Sequence, residues 1–340
     1  MIRQSDDGLF WTNYAILREM STYVAVDIGG TQIRAGLYPL DNLHPIILER
    51  SSTRHPHDTP LDRLIKLIDS ILPQDGKVDA IGVAAPGAID PHSGIIYEAP
   101  NIQGWVNLPL RNVLENHFQM PVALGNDANL AAVGEWKYGA GQGHHDLLYL
   151  TVSTGIGGGV IIADSLMTGA NGLAAELGHV TVLPGGPICG CGLRGHLEAI
   201  ASGPGMARWV EQELQDGASS ILQPGSNLTA KAIGSAAASG DTLAKAALAR
   251  SGTFIGRALA GYLHIFNPSI VIIGGGVSQT GHFLLEPMRI AMQENVISKH
   301  YTDNLILTTA ALGDEAGLMG ALAIARSLAL ENPLAQIQSD

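Results

Sequence analysis

Cysteine is almost missing from this chain: there are two in 340 residues, Cys189 and Cys191, separated by one glycine. That spacing closes no useful loop as a disulfide, so a disulfide-stapled scaffold is excluded and the pair suits metal ligation or reduced thiols. Aromatic residues are scarce too, at 5%, which argues against the stacking platform of a single-strand nucleic-acid binder. Basic charge is in deficit, with Lys+Arg 19 against Asp+Glu 31 and a net charge of −12 at pH 7. Such a surface repels phosphate backbones and anionic lipid heads, so neither nucleic acid nor membrane is an expected partner. No stretch is both apolar and long enough to span a bilayer, and the opening MIRQSDDGLFWTNYAILREM has no apolar run of signal-peptide length. The expectation is a soluble, cytoplasmic protein.

What is present is apolar residue, at 46%, and glycine, at 42 positions: enough for a large core and many close backbone approaches. The length suits two lobes. Residues 1–20 are mixed in character and end at Met20, a second possible start, which would make the first nineteen an upstream extension. From residue 23 the pattern is α/β. Strands are expected at 23–27, up to Tyr38-Pro39, at 45–50, 80–84, 122–124, 147–152, 160–162, 270–273 and 305–309. Helices are expected near 60–72, 110–117, 130–138, 203–216, 227–239, 241–266 and 317–330, around a loop-rich middle at 163–205. The two halves rhyme, each beginning with strand, glycine turn, strand.

The first turn, Asp27-Ile-Gly-Gly-Thr31, differs from a dinucleotide fingerprint or a P-loop, which need a helix directly after the glycines. Gly29 and Gly30 let main-chain N–H groups approach phosphate oxygens, Thr31 adds a hydroxyl, and Asp27 can hold magnesium through water. An ordinary hairpin turn has the same appearance. The second turn, Ser153-Thr154-Gly155-Ile-Gly-Gly158, favours the functional alternative, because two such turns can hold one nucleotide; its glycines permit positive φ. Gly274, Gly275 and Gly276, after a buried strand, can expose bare backbone to an adenosine or serve as a helix-entry turn.

Asp27–Thr31, Ala85-Pro-Gly87, Gly125-Asn-Asp-Ala-Asn129, Ser153–Gly158, Glu176-Leu-Gly-His179 and Cys189-Gly-Cys-Gly192 stand in the order and approximate spacing of the ROK family of sugar kinases and sugar-responsive repressors. The chain resembles that family from residue 22 to about 325. The resemblance implies the two-lobed actin-like/hexokinase fold of ribonuclease-H-like type, with an inter-lobe cleft that takes ATP and a sugar. The expected division is 21–128 plus about 317–340 as a small lobe and 129–316 as a large lobe with the metal loop. A homodimer is implied by the resemblance alone.

Phosphoryl transfer needs the acceptor hydroxyl aligned with the γ-phosphate, its proton accepted and the phosphate charge neutralised by Mg2+. Asp127, at a strand-to-helix turn beside Asn126, is the expected general base; its alternative is a helix cap, the role expected of Asn129. The resemblance carries sugar contacts onto Asn101, Asn126, Asp127, Glu176, His179 and Glu198. Glu198 read alone is equally a solvated charge at a helix start. Trp105 reads as loop packing, and His144-His145 as surface residues.

His179, Cys189, Cys191 and His196 give the spacing H-x9-C-x-C-x4-H. Members of the family normally carry a third cysteine at the fourth position. Tetrahedral zinc accepts Cys2His2 as well as Cys3His, and Gly190, Gly192 and Gly195 permit a tight knuckle. A structural Zn2+ would pin a loop that has no core of its own and orient the sugar contacts beside it. A lysine frequent after the turn threonine in relatives is replaced by Gln32, which moves the expected phosphate contact to Arg34 or to backbone.

The expected function is an ATP-dependent hexose kinase acting on the 6-hydroxyl of glucose. N-acetylmannosamine or another hexose is the alternative substrate, and polyphosphate an alternative donor. The non-enzyme alternative is a sugar-responsive repressor, which the net charge and the twenty residues before the first strand disfavour.

Overall fold

The computed structural model describes residues 21–74 and 77–331, so the expected 1–20 extension and the end of the chain beyond 331 lie outside the described residues. The chain divides into two compact units: one runs to Lys137 and adds Gly169–Leu173 and the chain from Glu315, and the other holds Tyr138–Thr168 and Ala174–Asp314.

In the first unit, β1 (Thr22–Ile28) is buried along its whole length apart from Asp27 and pairs antiparallel with β2 (Gln32–Pro39) across the turn between them. β3 (Ile47–Ser52) follows, and Thr59 caps the helix Pro60–Ile71 by a reciprocal capping box with Asp62. Such a cap satisfies two end donors that a bare helix start leaves open. β4 (Val78–Ala85) and β8 (Val122–Asn126) extend the sheet in parallel, giving the order β3-β2-β1-β4-β8. Between them lies a small antiparallel sheet of β5 (Ala88–Asp90), β6 (Ile95–Glu98) and β7 (Val106–Leu108), which the sequence pattern did not reveal because each strand is three or four residues long. Val24, Val26, Ile28, Ile81 and Val83 form the core with Leu64 and Ile68 of the capped helix. The helix Asp127–Tyr138 remains with this unit as far as Lys137 because it packs against the helix Ala316–Glu331. That approach requires glycine: a Cβ on Gly320 would collide with the Leu130 carbonyl oxygen.

The second unit repeats the plan. β9 (Leu147–Val152) pairs antiparallel with β10 (Ile156–Ile162), the short β11 (Ser165–Leu166) flanks β10, and β12 (Ile270–Gly274) and β13 (Ile306–Thr309) add in parallel, in the order β11-β10-β9-β12-β13. Both sheets therefore have three antiparallel strands and then two parallel ones, in the same sequence of pairings. The 25-residue helix Thr242–Phe266 supplies Leu248, Ile255, Leu259 and Leu263 to the core beneath this sheet. Two α-helices among the described residues escaped the sequence reading: the five-residue Leu197–Ala201, within the expected loop-rich middle, and His282–Asn295, whose Pro287 interrupts the pattern that marks helices. Trp105 is buried in the core of the first unit, as loop packing requires.

Candidate active site and metal centre

The first glycine turn is held from below. Asp27 and Arg34 face each other across the β1–β2 pair, and Arg34 donates from Nη2 (2.5 Å) and Nε (3.2 Å) to Asp27 Oδ2. Arg34 thus directs its fork at a carboxylate rather than outward. Thr53, only 1% exposed, donates its hydroxyl to the Gly29 carbonyl (2.6 Å) and its N–H to that of Thr31 (2.9 Å). Both carbonyls are turned toward Thr53, while no acceptor among the described residues takes the N–H groups of Gly30 and Thr31. Two adjacent free N–H groups form the concave donor pair that anions occupy. The Cβ of Asn101 stands beside this turn, 3.2 Å from where a Cβ on Gly30 would lie.

The strand-to-helix turn at the end of β8 is fixed by Asn126. Its Oδ1 accepts the N–H groups of Ala128 (3.0 Å) and Asn129 (3.1 Å), and its Nδ2 donates to the Gly87 carbonyl (3.1 Å). The helix begins at Asp127, so the capping expected of Asn129 falls instead to Asn126, and Asn129 is buried within the first turn. Asp127 Oδ1 accepts the N–H of Ala128 at 2.8 Å, which holds its carboxylate at the N-terminal end of the helix.

In the second unit, the β9–β10 turn is closed by Ser153 N–H donating to the Gly155 carbonyl (2.8 Å), and Gly203 N–H holds the Ser153 carbonyl (2.8 Å). Ile156 N–H donates to Glu198 Oε2 at 3.0 Å, and no acceptor among the described residues takes the N–H groups of Thr154 and Gly155. None of the glycines from 155 to 159 uses the positive φ that glycine permits. Gly155 is required for space, since a Cβ there would meet Glu198 Oε2 at 2.6 Å. After β12, Gly274 makes room for the Tyr149 hydroxyl and Gly275, at φ +81°, for the Val152 carbonyl; Gly276 faces open space.

The metal-loop residues come together. The ligand atoms of His179, Cys189, Cys191 and His196 all lie within 4.8 Å of one another. His179 Nδ1 is 3.4 Å from His196 Nδ1 and 3.7 Å from Cys189 Sγ, and Cys191 Sγ is 3.3 Å from His196 Nδ1. Tetrahedral zinc with ordinary Zn–N and Zn–S bonds needs ligand separations of roughly 3.3–3.8 Å; these three separations match it, the set as a whole spans up to 4.8 Å, and the two thiols and two imidazoles are the donor chemistry the ion takes. Gly195, at φ +77°, makes the turn that returns His196 to the cluster, aided by the bridge between Thr181 and His196. Burial pushes the Cys189 thiol up to about 11, helped by the Glu198 carboxylate, to whose Oε1 the thiol donates at 3.3 Å. A divalent cation inverts that preference and makes the thiolate the stable form. His179 Nε2 points the other way, 3.9 Å from Glu176 Oε2. Surrounding protein raises the Glu176 carboxyl above its ordinary range, Glu198 adds to the rise and His179 opposes it, although 53% of the side chain is open to solvent. His144 and His145 bond Ser269 and Asp164 on the surface, away from this cluster.

Sequence reasoning missed Thr53, the Asp27–Arg34 pair, the Gly87 carbonyl that holds Asn126, and the Ile156 N–H that holds Glu198. Only the Asp27–Arg34 pair had a signal, since a hairpin turning at 29–32 brings positions 27 and 34 opposite each other.

The chain is similar to known proteins. The ROK family model matches residues 23–327. A glucokinase from Thermotoga maritima is 37% identical over 307 residues, covering 88% of this chain and 96% of its own. A xylose repressor from Caldicellulosiruptor bescii is 33% identical over 80% of this chain and 70% of its own. Among solved structures, a ROK family glucokinase from Streptomyces griseus in complex with glucose and AMPPNP is similar with a TM-score of 0.75 at 34% identity, over 90% of this chain and 99% of that one. The doubled sheet is that of the two-lobed actin-like ATPase fold, and the chain belongs to the ROK family.

Proposed function

We propose that this protein is an ATP-dependent hexose kinase that phosphorylates the 6-hydroxyl of glucose. The observation that carries the reading is the similarity, over nearly the full length of both chains, to a glucokinase solved with glucose and AMPPNP. The repressor reading draws on a relative matched over a smaller part of its length, and it gives the two donor turns no task.

Asp127 is the general base. Pinned at a helix start by the Asn126 cap, it accepts the proton of the attacking hydroxyl, a contribution of about 10²–10⁴ in rate. The free N–H groups of Gly30 and Thr31 and of Thr154 and Gly155 hold phosphate oxygens. Gly276 offers bare backbone to the adenosine. Magnesium carried by the nucleotide neutralises phosphate charge, and Asp27 Oδ1, the oxygen not taken by Arg34, is available to one of its waters. Sugar hydroxyls are oriented by Asn101, Asn126, Glu176, His179 and Glu198. Because the acceptors of Asn126 are already occupied by the helix start, it can meet a hydroxyl only through its remaining N–H.

A structural zinc held by His179, Cys189, Cys191 and His196 would fix the loop that carries Glu176 and Glu198. No helix among the described residues is long and apolar enough to cross a membrane. A cytoplasmic location and a homodimer are part of the proposal, the latter checked by light scattering. The experiment that tests the reading is a coupled kinase assay over hexoses and N-acetylhexosamines with ATP and, separately, polyphosphate. Glucose with ATP is expected to give the highest kcat/KM. Tight sugar binding without turnover on any sugar would favour the repressor reading instead.

A further inference from the structure

Glu198 has two tasks besides any sugar. Its Oε2 accepts the Ile156 N–H at 3.0 Å, and its Oε1 accepts the Cys189 thiol at 3.3 Å. It lies in the first turn of the short helix Leu197–Ala201, directly after His196, so one carboxylate joins the metal loop to the second glycine turn. The contact with the turn is tight as well as polar: the space where Gly155 would carry a Cβ lies 2.6 Å from the same Oε2. Of three successive N–H groups, at 154, 155 and 156, the carboxylate takes the last, while the first two have no acceptor among the described residues. A hydrogen bond from a main-chain N–H to an ionised carboxylate is charge-assisted and directional, and it fixes the peptide plane that donates it.

We infer that Glu198 is the positioning residue of the second glycine turn: by holding Ile156 N–H it sets the direction of the Thr154 and Gly155 N–H groups, so that the metal loop governs nucleotide affinity. The inference rests on the reading of that turn as a phosphate site. It differs from a sugar-contact role, which predicts no effect on nucleotide binding when sugar is absent.

The test is calorimetric titration of the full-length protein as purified with magnesium AMPPNP and no sugar. Glu198→Ala is expected to weaken binding about tenfold, the ordinary worth of one charge-assisted hydrogen bond. Glu198→Gln keeps an acceptor for Ile156 and is expected to stay within about twofold of the parent for nucleotide while losing sugar affinity. Should the alanine variant not fold, Glu198→Asp replaces it; its carboxylate, one carbon shorter, falls short of the turn and is expected to weaken nucleotide as alanine does. Parental nucleotide affinity in Glu198→Ala or Glu198→Asp overturns the inference, and so does a glutamine variant as weak as either. Gly155→Val separates the two levels. If it binds nucleotide as the parent does, the turn is no phosphate site and the underlying reading fails; if it loses binding while Glu198→Ala keeps it, only the positioning role fails.

Discussion

Arg34 and Asp27 form an ion pair across neighbouring strands, with Arg34 Nη2 2.5 Å from Asp27 Oδ2 and both side chains more than four-fifths buried. Asp27 lies at the end of β1, immediately before the first glycine turn, where an unpaired carboxylate would repel incoming phosphate. The guanidinium cancels that charge on one oxygen; in the proposed reading the other is available to magnesium-bound water. Arg34→Met is expected to cost about 1–3 kcal/mol of stability, because a partly buried carboxylate loses its partner. It is also expected to raise KM for ATP severalfold with little change in KM for glucose. Denaturant melts and steady-state kinetics check both outcomes.

Asp127→Asn keeps the shape of the side chain and its place at the helix start, but removes the proton acceptor. Glucose affinity is expected to hold within about threefold while kcat falls about 10²–10⁴-fold. A loss of kcat smaller than about tenfold would assign the base elsewhere. The accompanying check is that the variant melts within a few degrees of the parent, since Asn126 rather than residue 127 supplies the helix cap.

The parts of the fold legible in the sequence are those with strong period and length. The buried run of β1, the long alanine-rich helix Thr242–Phe266 and the repeated strand–turn–strand units were readable because burial imposes a pattern on consecutive residues. The β5–β7 strands were not, being too short for alternation to stand out from loop composition. The site divides in the same way. Cys189, Cys191, His179 and His196 were found because rare residue types sit close together in the chain, and the structure brings their ligand atoms together. Thr53 and Ile156 were invisible because a threonine is common and a main-chain N–H has no letter. Their roles come from tertiary contacts with partners more than twenty and more than forty residues away in sequence.

The proposed zinc site predicts its own spectroscopy. Purified protein is expected to contain about one zinc per chain, and cobalt substitution to give the absorption of a tetrahedral site with two sulfur and two nitrogen ligands rather than three sulfurs and one nitrogen. His196→Ala removes a 95%-buried ligand and is expected to lose the metal and lower the melting temperature. His196→Cys, which restores the three-cysteine set usual in the family, is expected to retain metal and to shift the cobalt spectrum toward more intense thiolate charge transfer. Full activity with no bound metal would remove the ion from the account.

Thr53 tests whether the first turn is held for a purpose. Its hydroxyl and N–H take the Gly29 and Thr31 carbonyls, and with those oxygens turned inward the intervening N–H groups have no acceptor among the described residues. Thr53→Val preserves the buried shape and the main-chain bond but orphans the Gly29 carbonyl, at a cost of about 1–3 kcal/mol. If that carbonyl then rotates toward water, the donor pair loses its direction, so KM for ATP is expected to rise about five- to tenfold while glucose binding measured without nucleotide is unchanged. Thr53→Ser returns the hydroxyl and is expected to restore nucleotide affinity even though it leaves a methyl-sized gap. That contrast separates hydrogen bonding from packing. A valine variant with lowered stability and unaltered KM for ATP would mean that Thr53 supports the fold without aiming the turn.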